Sequence, residues 1–166
     1  MSVEQGLAKG PLRKIVSGGQ TGVDRGALDA AIDLGIPHGG WCPRGRLAED
    51  GRIPERYQLT ENASDDYALR TEQNVLESDG TLVLCVGQPT GGTALTCQLA
   101  REHGRPLLVL DLASRPGPEA AWQWIVANAI GVLNVAGPRE SAHPGVREQA
   151  AEYLRAVLVA GSARLR

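Results

Sequence analysis

Residues 81–86 read TLVLCV, and this short stretch decides the fold class. It is apolar and β-branched and too short for a helix, so it predicts a strand that is buried on both faces. The segment PLLVL at residues 106–110 has the same character. Fully apolar strands of this kind are typical of parallel sheets, in which helices cover both faces.

Segments with helical spacing of apolar residues alternate with the predicted strands. The first expected helix carries Ala27 and Leu34 and ends at Gly35, and the second is capped by Ser64. This alternation predicts an α/β, Rossmann-like fold, with a doubly wound, mainly parallel sheet of about five strands and helices on both faces. The expected strands are 12–17, 36–40, 81–86, 106–110 and 132–135, and the later helices are 65–77, 93–103, 119–129 and a final one that contains Val146.

The length and charge of the chain restrict its class. Its 166 residues suffice for one domain, and we expect a flexible tail at 1–11 followed by a single Rossmann-like ligand-binding domain at 12–166. Lys and Arg number 17 against 19 Asp and Glu, so the net charge of -2 argues against nucleic acid or a membrane surface as a partner. Nor does any apolar run approach the roughly 18 residues of a membrane helix.

The cysteines indicate a reducing compartment. Cys42, Cys85 and Cys97 are odd in number and far apart, and with the three histidines they show no metal-ligand spacing. We therefore expect free thiols, no metal site and a cytoplasmic protein. Cys85 lies inside an apolar run and is expected to pack as a small core residue.

Two glycine-rich loops follow predicted strands and lead into predicted helices. Residues 17–22 (SGGQTG) come after the first strand, and residues 88–93 (QPTGGT) come after TLVLCV. Amides at a helix start attract anions such as phosphate, and glycine lets the backbone approach a ligand closely. A third loop at 137–141 (GPRES) follows the last strand and belongs at the same sheet edge. The alternative is that the glycines only form tight turns.

The glycine loops do not match the common nucleotide motifs. The first has Ser17 where the GxGxxG motif needs its first glycine, and Gly39-Gly40-Trp41 stands where an acidic residue would hold a ribose. No Gly-Lys-Ser/Thr sequence follows, so a P-loop is excluded. We therefore expect no dinucleotide cofactor.

Further candidates flank these loops. Asp24 and Arg25 begin the first helix, and the irregular segment 41–63 carries Trp41 for stacking on a flat ligand and Arg44 for binding an oxyanion. The alternatives are a helix-dipole role for Asp24, a solvated segment with local ion pairs, and a tryptophan that pins the segment to the core. No nucleophile–base pair is apparent, so catalytic residues stay unknown.

Residues 14–57 contain the ordered string GGQTGVDRGALDAA, GGWCPRGR and EDG. Together with QPTGGTALT at 88–96 and NVAGPRESAHPG at 134–145, this string closely resembles the molybdenum cofactor carrier family. That family belongs to a wider set of Rossmann-like proteins that bind nucleotide-derived ligands, including cytokinin-activating phosphoribohydrolases. The candidate ligand-binding residues are Ser17, Gly18, Gly19, Gln20, Thr21, Gly22, Asp24, Arg25, Trp41, Arg44, Thr90, Gly91, Gly92, Thr93, Arg139 and Glu140.

The resemblance implies a carrier that binds molybdenum cofactor, or a similar phosphorylated pterin or nucleotide-derived ligand, as its cargo. It also implies a homo-oligomer, either a dimer or a tetramer. The hydrolase relatives carry PGGxGTxxE, and here Thr96 stands at the position of the glutamate. The alternatives are a phosphoribohydrolase-like hydrolase of a nucleoside monophosphate, for which Glu49, Asp50 or Glu140 would supply an acid, and a nucleotide-sensing domain.

Overall fold

The computed structural model describes residues 12–164, so the tail expected at 1–11 lies outside the described residues. Each strand and helix expected from the sequence occurs, with ends that differ from the expected ones by at most two residues. The strands are β1 Lys14–Val16, β2 His38–Gly39, β3 Trp41–Cys42, β4 Leu47–Ala48, β5 Gly51–Arg52, β6 Thr60–Glu61, β7 Gly80–Cys85, β8 Leu107–Asp111 and β9 Val132–Ala136. The helices are α1 Val23–Asp33, α2 Tyr67–Leu76, α3 Gly91–Glu102, α4 Pro118–Ala127 and α5 Val146–Arg164.

Five of these strands form the main sheet in the order β2-β1-β9-β7-β8, and all their pairings are parallel. Asn134 of β9 lies opposite Val16 of β1 on one side and opposite Thr81 of β7 on the other. The last strand of the chain therefore lies in the centre of the sheet. The predicted fold class, a Rossmann-like parallel sheet of five strands, is confirmed.

Helices cover both faces of the sheet, because alternate residues of each strand point to opposite sides. Leu82 and Leu84 of β7 belong to the cluster that α1, α4 and α5 bury. Val83 and Cys85 point the other way and pack against Cys97 of α3, beside the cluster shared by α2 and α3. Among the helices of the described residues, none has the length and hydropathy of a membrane span.

The segment 41–63, expected to be irregular, contains four short strands. β3 pairs with β6 in parallel, and β4 with β5 forms an antiparallel hairpin. The buried guanidinium of Arg46 holds the segment together, because it donates to the carbonyl oxygens of Ile53, Pro54 and Tyr57 at 3.2, 2.8 and 2.8 Å. Strands of two residues show no alternation in sequence, so no pattern indicated them.

The start of α2 differs from the expectation. Asp66 caps this helix, because its carboxylate accepts a hydrogen bond from the amide of Ala68 at 2.9 Å. The hydroxyl of Ser64 accepts from the amide of Asp66 at 3.0 Å and so forms the turn before the helix. The prediction that Ser64 is the cap is therefore wrong, because two neighbouring residues both had the chemistry of a cap.

The helices α1 and α5 approach closely at Gly26. A Cβ atom at this position would lie 2.3 Å from the carbonyl oxygen of Arg147 and 3.1 Å from the Cβ of Ala150. The close approach sets the position of α1, whose N-terminal end follows the first loop.

We predict that Gly26→Ala destabilises the protein by about 1–3 kcal/mol, because the added methyl group forces the two helices apart. The free energy of unfolding measured in denaturant checks this value. At an unhindered helical position, the same change stabilises by roughly 0.8–1 kcal/mol through helix propensity. A gain of that size would therefore contradict the close approach of α1 and α5.

Candidate functional site

Three loops meet at one edge of the sheet, beyond the carboxyl ends of the adjacent strands β1, β9 and β7. We define the first loop as residues 17–22, the second as 88–93 and the third as 137–141. A Cβ atom on Gly22 of the first loop would lie 2.3 Å from the carbonyl oxygen of Pro138 in the third. The amide of Glu140 also donates to the hydroxyl of Thr21 at 3.2 Å. The first and third loops therefore form one packed unit.

Hydrogen bonds within the protein satisfy two amides of the first loop. The hydroxyl of Ser17 accepts from the amide of Gly19 at 3.3 Å, and the carboxylate of Asp24 accepts from the amide of Gln20 at 3.2 Å. The guanidinium of Arg25 donates to the carbonyl oxygen of Gly19 at 3.1 Å. The expectation of free amides for an anion is therefore wrong for Gly19 and Gln20.

Two carboxylates connect the β4–β5 hairpin to the start of α1 and to the first and third loops. Asp50 forms a two-pronged pair with Arg25, with N–O distances of 2.5 and 2.8 Å. Glu49 accepts from the hydroxyl of Ser141 at 2.6 Å and from the hydroxyl of Thr21. These hydrogen bonds lower the pKa of Glu49, and the bonds from Arg25 lower the pKa of Asp50. Both groups are thus ionised at neutral pH and engaged in structural contacts.

Glu140 turns away from the second loop. Its carboxylate accepts from the amides of Gly145 and Arg147 at 2.6 and 3.0 Å, next to the start of α5. It lines a surface groove of about 440 Å³ that Glu49 and Asp50 also border. The three carboxylates considered as acids therefore meet at this groove, where hydrogen bonds within the protein occupy each of them.

The second loop differs from the first because the start of α3 is open. The amides of Thr93 and Ala94 donate to the carbonyl oxygen of Thr90 at 3.1 and 3.2 Å, and the side chain of Thr90 caps nothing. The amides of Gly91 and Gly92 have no acceptor among residues 12–164. The first turn of α3 also contains no acidic residue that would balance the positive end of the helix dipole.

A cleft of about 430 Å³ lies between this helix start and the third loop. Pockets that bind small molecules in proteins typically measure 300–1,000 Å³, so the cleft has the size of a ligand site. Five of the sequence candidates lie here together, and the newly found Tyr67 forms part of the wall. Those candidates are Thr90, Gly91, Gly92, Thr93 and Arg139.

Behind the cleft lies a small polar cavity of about 20 Å³ that shares Tyr67 and Gly92 with it. The guanidinium of Arg70 lines this cavity and is only 3% exposed. Its Nε has no hydrogen-bond partner among the described residues, and its nearest carboxylate, Asp24, is 4.0 Å away. Gly18 permits this arrangement, because a Cβ there would lie 1.4 Å from the guanidinium.

The sequence reasoning missed Arg70. A signal existed, because Arg70, Thr71 and Asn74 occupy the helical spacing of one face of α2, and all three are buried. From sequence alone, these three polar residues next to the apolar Val75 indicate a helix face exposed to solvent. Only the loops that cover this face in the structure show that it is buried. The guanidinium also lies 4.4 Å from the ring centroid of Tyr67, which fixes its plane by a cation–π contact.

Asp24 is a buried carboxylate at this edge whose pKa moves towards neutrality. Burial raises its pKa to about 6, although Arg70, the amide of Gln20, Arg139 and Arg25 act in the opposite direction. The carboxylate accordingly exchanges its proton near pH 6, next to a guanidinium with which it forms no hydrogen bond.

Trp41 and Arg44 lie apart from the cleft and from the small cavity, whose linings contain neither residue. The indole of Trp41 donates to Glu77, and its backbone pairs with the side-chain amide of Asn74 at 2.8 and 3.0 Å. Arg44 is 64% exposed and lies 3.8 Å from Asp65. Trp41 therefore positions Asn74, which lines the small cavity, rather than lying against the cleft itself.

We predict that Asp24→Asn removes a pH dependence of folding stability. Asp24 binds its proton in the folded state up to about pH 6, whereas the unfolded chain releases it near 3.8. The contribution of Asp24 to stability therefore falls as the pH rises between these values, by about 3 kcal/mol in total, and the asparagine variant lacks this contribution. Unfolding in denaturant at pH 4 and at pH 7 measures the difference. If the free energy of unfolding changed equally with pH in the wild type and in the variant, the raised pKa of Asp24 would be contradicted.

The model of the circularly permutated YpsA SLOG family matches residues 15–158. A crystal structure from Syntrophus aciditrophicus SB, of a protein provisionally named molybdenum carrier protein, is 48% identical. The alignment covers 90% of this chain and 96% of that chain, with a TM-score of 0.85. No curated protein matches the chain. Both matches bear out the family resemblance, and the chain belongs to the circularly permutated YpsA SLOG family.

Proposed function

We propose that this protein is a carrier that binds a phosphorylated small molecule in the cleft between the second and third loops. The observation that carries the proposal is the buried guanidinium of Arg70, whose Nε has no partner and which lies beside the open start of α3. Buried polar groups are almost always hydrogen-bonded, so an unpaired one next to a cleft indicates a missing ligand group.

The phosphate binds at the start of α3. The amides of Gly91 and Gly92 donate to it, the helix dipole favours its charge, and the hydroxyl of Thr93 and the guanidinium of Arg139 lie at the same cleft. Arg70 supplies the charge from behind, through the small cavity next to Gly92. The candidate residues Ser17, Gly19, Gln20 and Arg25 support the first loop, on which Arg70 rests.

Molybdenum cofactor is the cargo that we propose. It combines a terminal phosphate with a flat pterin and an anionic metal end held by its own sulfur atoms, and these suit the start of α3, the ring of Tyr67 and Arg139 respectively. The name of the Syntrophus protein supports this assignment. Cys42, Cys85 and Cys97 are buried, and burial raises the pKa of each thiol, so the protein offers no thiolate to the metal.

A hydrolase of a nucleoside monophosphate is the second candidate function. The observation that favours it is Asp24, a buried carboxylate with a pKa of about 6 that lines the small cavity with Arg70. A general acid or base works best when its pKa lies near the working pH. Thr96 does not replace the glutamate of the hydrolase motif chemically, because its hydroxyl donates to the carbonyl oxygen of Gly92 at 3.0 Å.

We predict that Arg70→Gln weakens the binding of molybdenum cofactor by about 10- to 100-fold, because a charge-assisted hydrogen bond to the phosphate is lost. Calorimetric titration of the purified protein measures the dissociation constant. Arg44→Gln makes the same chemical change at an exposed position outside the cleft and leaves the affinity unchanged. Arg70→Lys retains the charge, and circular dichroism checks the fold of all three variants.

Titration with AMP and with adenosine separates the phosphate from the rest of the ligand. Equal affinity of wild type and Arg70→Gln for molybdenum cofactor would remove Arg70 from the site and refute the proposed binding mode. Release of adenine from AMP by wild type, lost in Asp24→Asn, would establish the hydrolase instead of the carrier.

A further inference from the structure

The outer edge of the main sheet at β8 has no partner strand among residues 12–164. The amide of Thr81 in β7 donates to the carbonyl oxygen of Pro106 at 2.9 Å, and Thr81 lies opposite Leu107. In a parallel pair with this register, the backbone groups of residues 108 and 110 point towards β7. The backbone groups of residues 107, 109 and 111 therefore point away from the sheet.

The side chains of residues 107–110 in this strand are apolar and half-buried on both faces of the sheet, whereas those of β7 are fully buried. Leu107 and Val109 pack against clusters on the α2–α3 face. Leu108 and Leu110 pack against the edge of the cluster on the other face. Each of these residues thus exposes apolar surface next to backbone groups that have no hydrogen-bond partner in the sheet.

The opposite edge of the sheet is protected, which makes β8 unusual within this fold. Strand β2 has only two residues, and the ring of His38 accepts a hydrogen bond from the amide of Gln58 in the covering segment at 3.1 Å. Short length and a covering segment are devices that proteins use against edge-to-edge pairing. Residues 107–110 contain no charge, proline or glycine that would serve this purpose.

We propose that a second copy of this chain pairs with β8 in an antiparallel manner across a twofold axis at Leu108. Residues whose numbers add to 216 then lie opposite each other, and the outward backbone groups of residues 107 and 109 bond in pairs across the axis. Leu107 faces the partner's Val109, and Arg105 faces the partner's Asp111. Two ion pairs thus flank an apolar centre, and the same surface complements itself, as a twofold interface requires. The proposal is independent of the function proposed above.

The charges are available for this contact. Asp111 uses one carboxylate oxygen to accept from the amides of Gly87 and Ala113, at 3.0 and 2.9 Å, which holds its side chain in place. The guanidinium of Arg105 makes one long hydrogen bond of 3.4 Å to the carbonyl oxygen of Ser78, and the residue is half-exposed. The dimer would contain a continuous sheet of ten strands, formed by the five strands of each copy. Because the two halves run in opposite directions, their clefts would open at opposite edges.

Sedimentation equilibrium of the full chain over a wide range of concentration tests the interface. We expect a dimer, or a larger even-numbered assembly, for the wild type. Arg105→Glu should raise the dissociation constant of the dimer by about tenfold or more, because each symmetric pair changes from attraction to repulsion. Arg101→Glu makes the same change at an exposed position of α3 and should leave it unaltered. A monomeric wild type, or equal dimerisation of both variants, would overturn the proposal.

Amide hydrogen exchange followed by NMR identifies the occupant of the edge. Dimerisation predicts that the amides of residues 107, 109 and 111 lose their protection on dilution, whereas those of 108 and 110 stay protected. Val109→Pro should abolish the dimer while it preserves the fold, because only an outward N–H is removed. Protection that does not depend on concentration would assign the edge to another segment of the same chain and refute the pairing of two copies.

Discussion

The central position of β9 is the constraint on which the site depends. Because the last strand lies between β1 and β7, the loops that follow these three strands must share one edge of the sheet. The backbones of the third loop and of β7 approach each other closely at this edge, since a Cβ on Gly137 would lie 2.1 Å from the carbonyl oxygen of Leu84. A larger residue at Gly22 or Gly137 would separate the strand ends, so these glycines serve packing before they serve any ligand.

This arrangement buries Arg70 and Asp24 as a pair, and their burial costs free energy. At 4.0 Å the two groups neutralise part of each other's charge without a hydrogen bond, and the pKa of Asp24 still rises to about 6. Desolvation thus exceeds the attraction, as is common for buried ion pairs. An anion bound to Arg70 would supply the missing hydrogen bonds, and it would favour the protonated form of Asp24. In the proposed binding mode, ligand binding would thereby be coupled to proton uptake by Asp24.

The local pattern of apolar residues was sufficient to predict where the strands and helices lie in the sequence. It was not sufficient to predict how they are arranged in the sheet. The apolar runs at 81–86 and 106–110 predicted β7 and β8 within one residue of their ends. The sequence of residues 132–136 did not indicate that β9 lies between β1 and β7, because strand order depends on contacts between residues that are distant in sequence. The burial of Arg70 could not be predicted for the same reason, because it depends on contacts with Gly18 and Tyr67, which are distant from each other in sequence.

The two glycine loops were equal candidates in sequence, and a single carboxylate separates them in structure. The first turn of α1 contains Asp24, which reaches back to the amide of Gln20 and places a negative charge at that helix start. The first turn of α3 contains no acidic residue, and Thr90 leaves the following amides free. A helix start that holds its own carboxylate has little attraction left for an external anion, whereas one without it retains the full effect of its dipole. In the proposed binding mode the ligand phosphate therefore lies at the second loop, and the first loop forms the wall that holds Arg70 behind it.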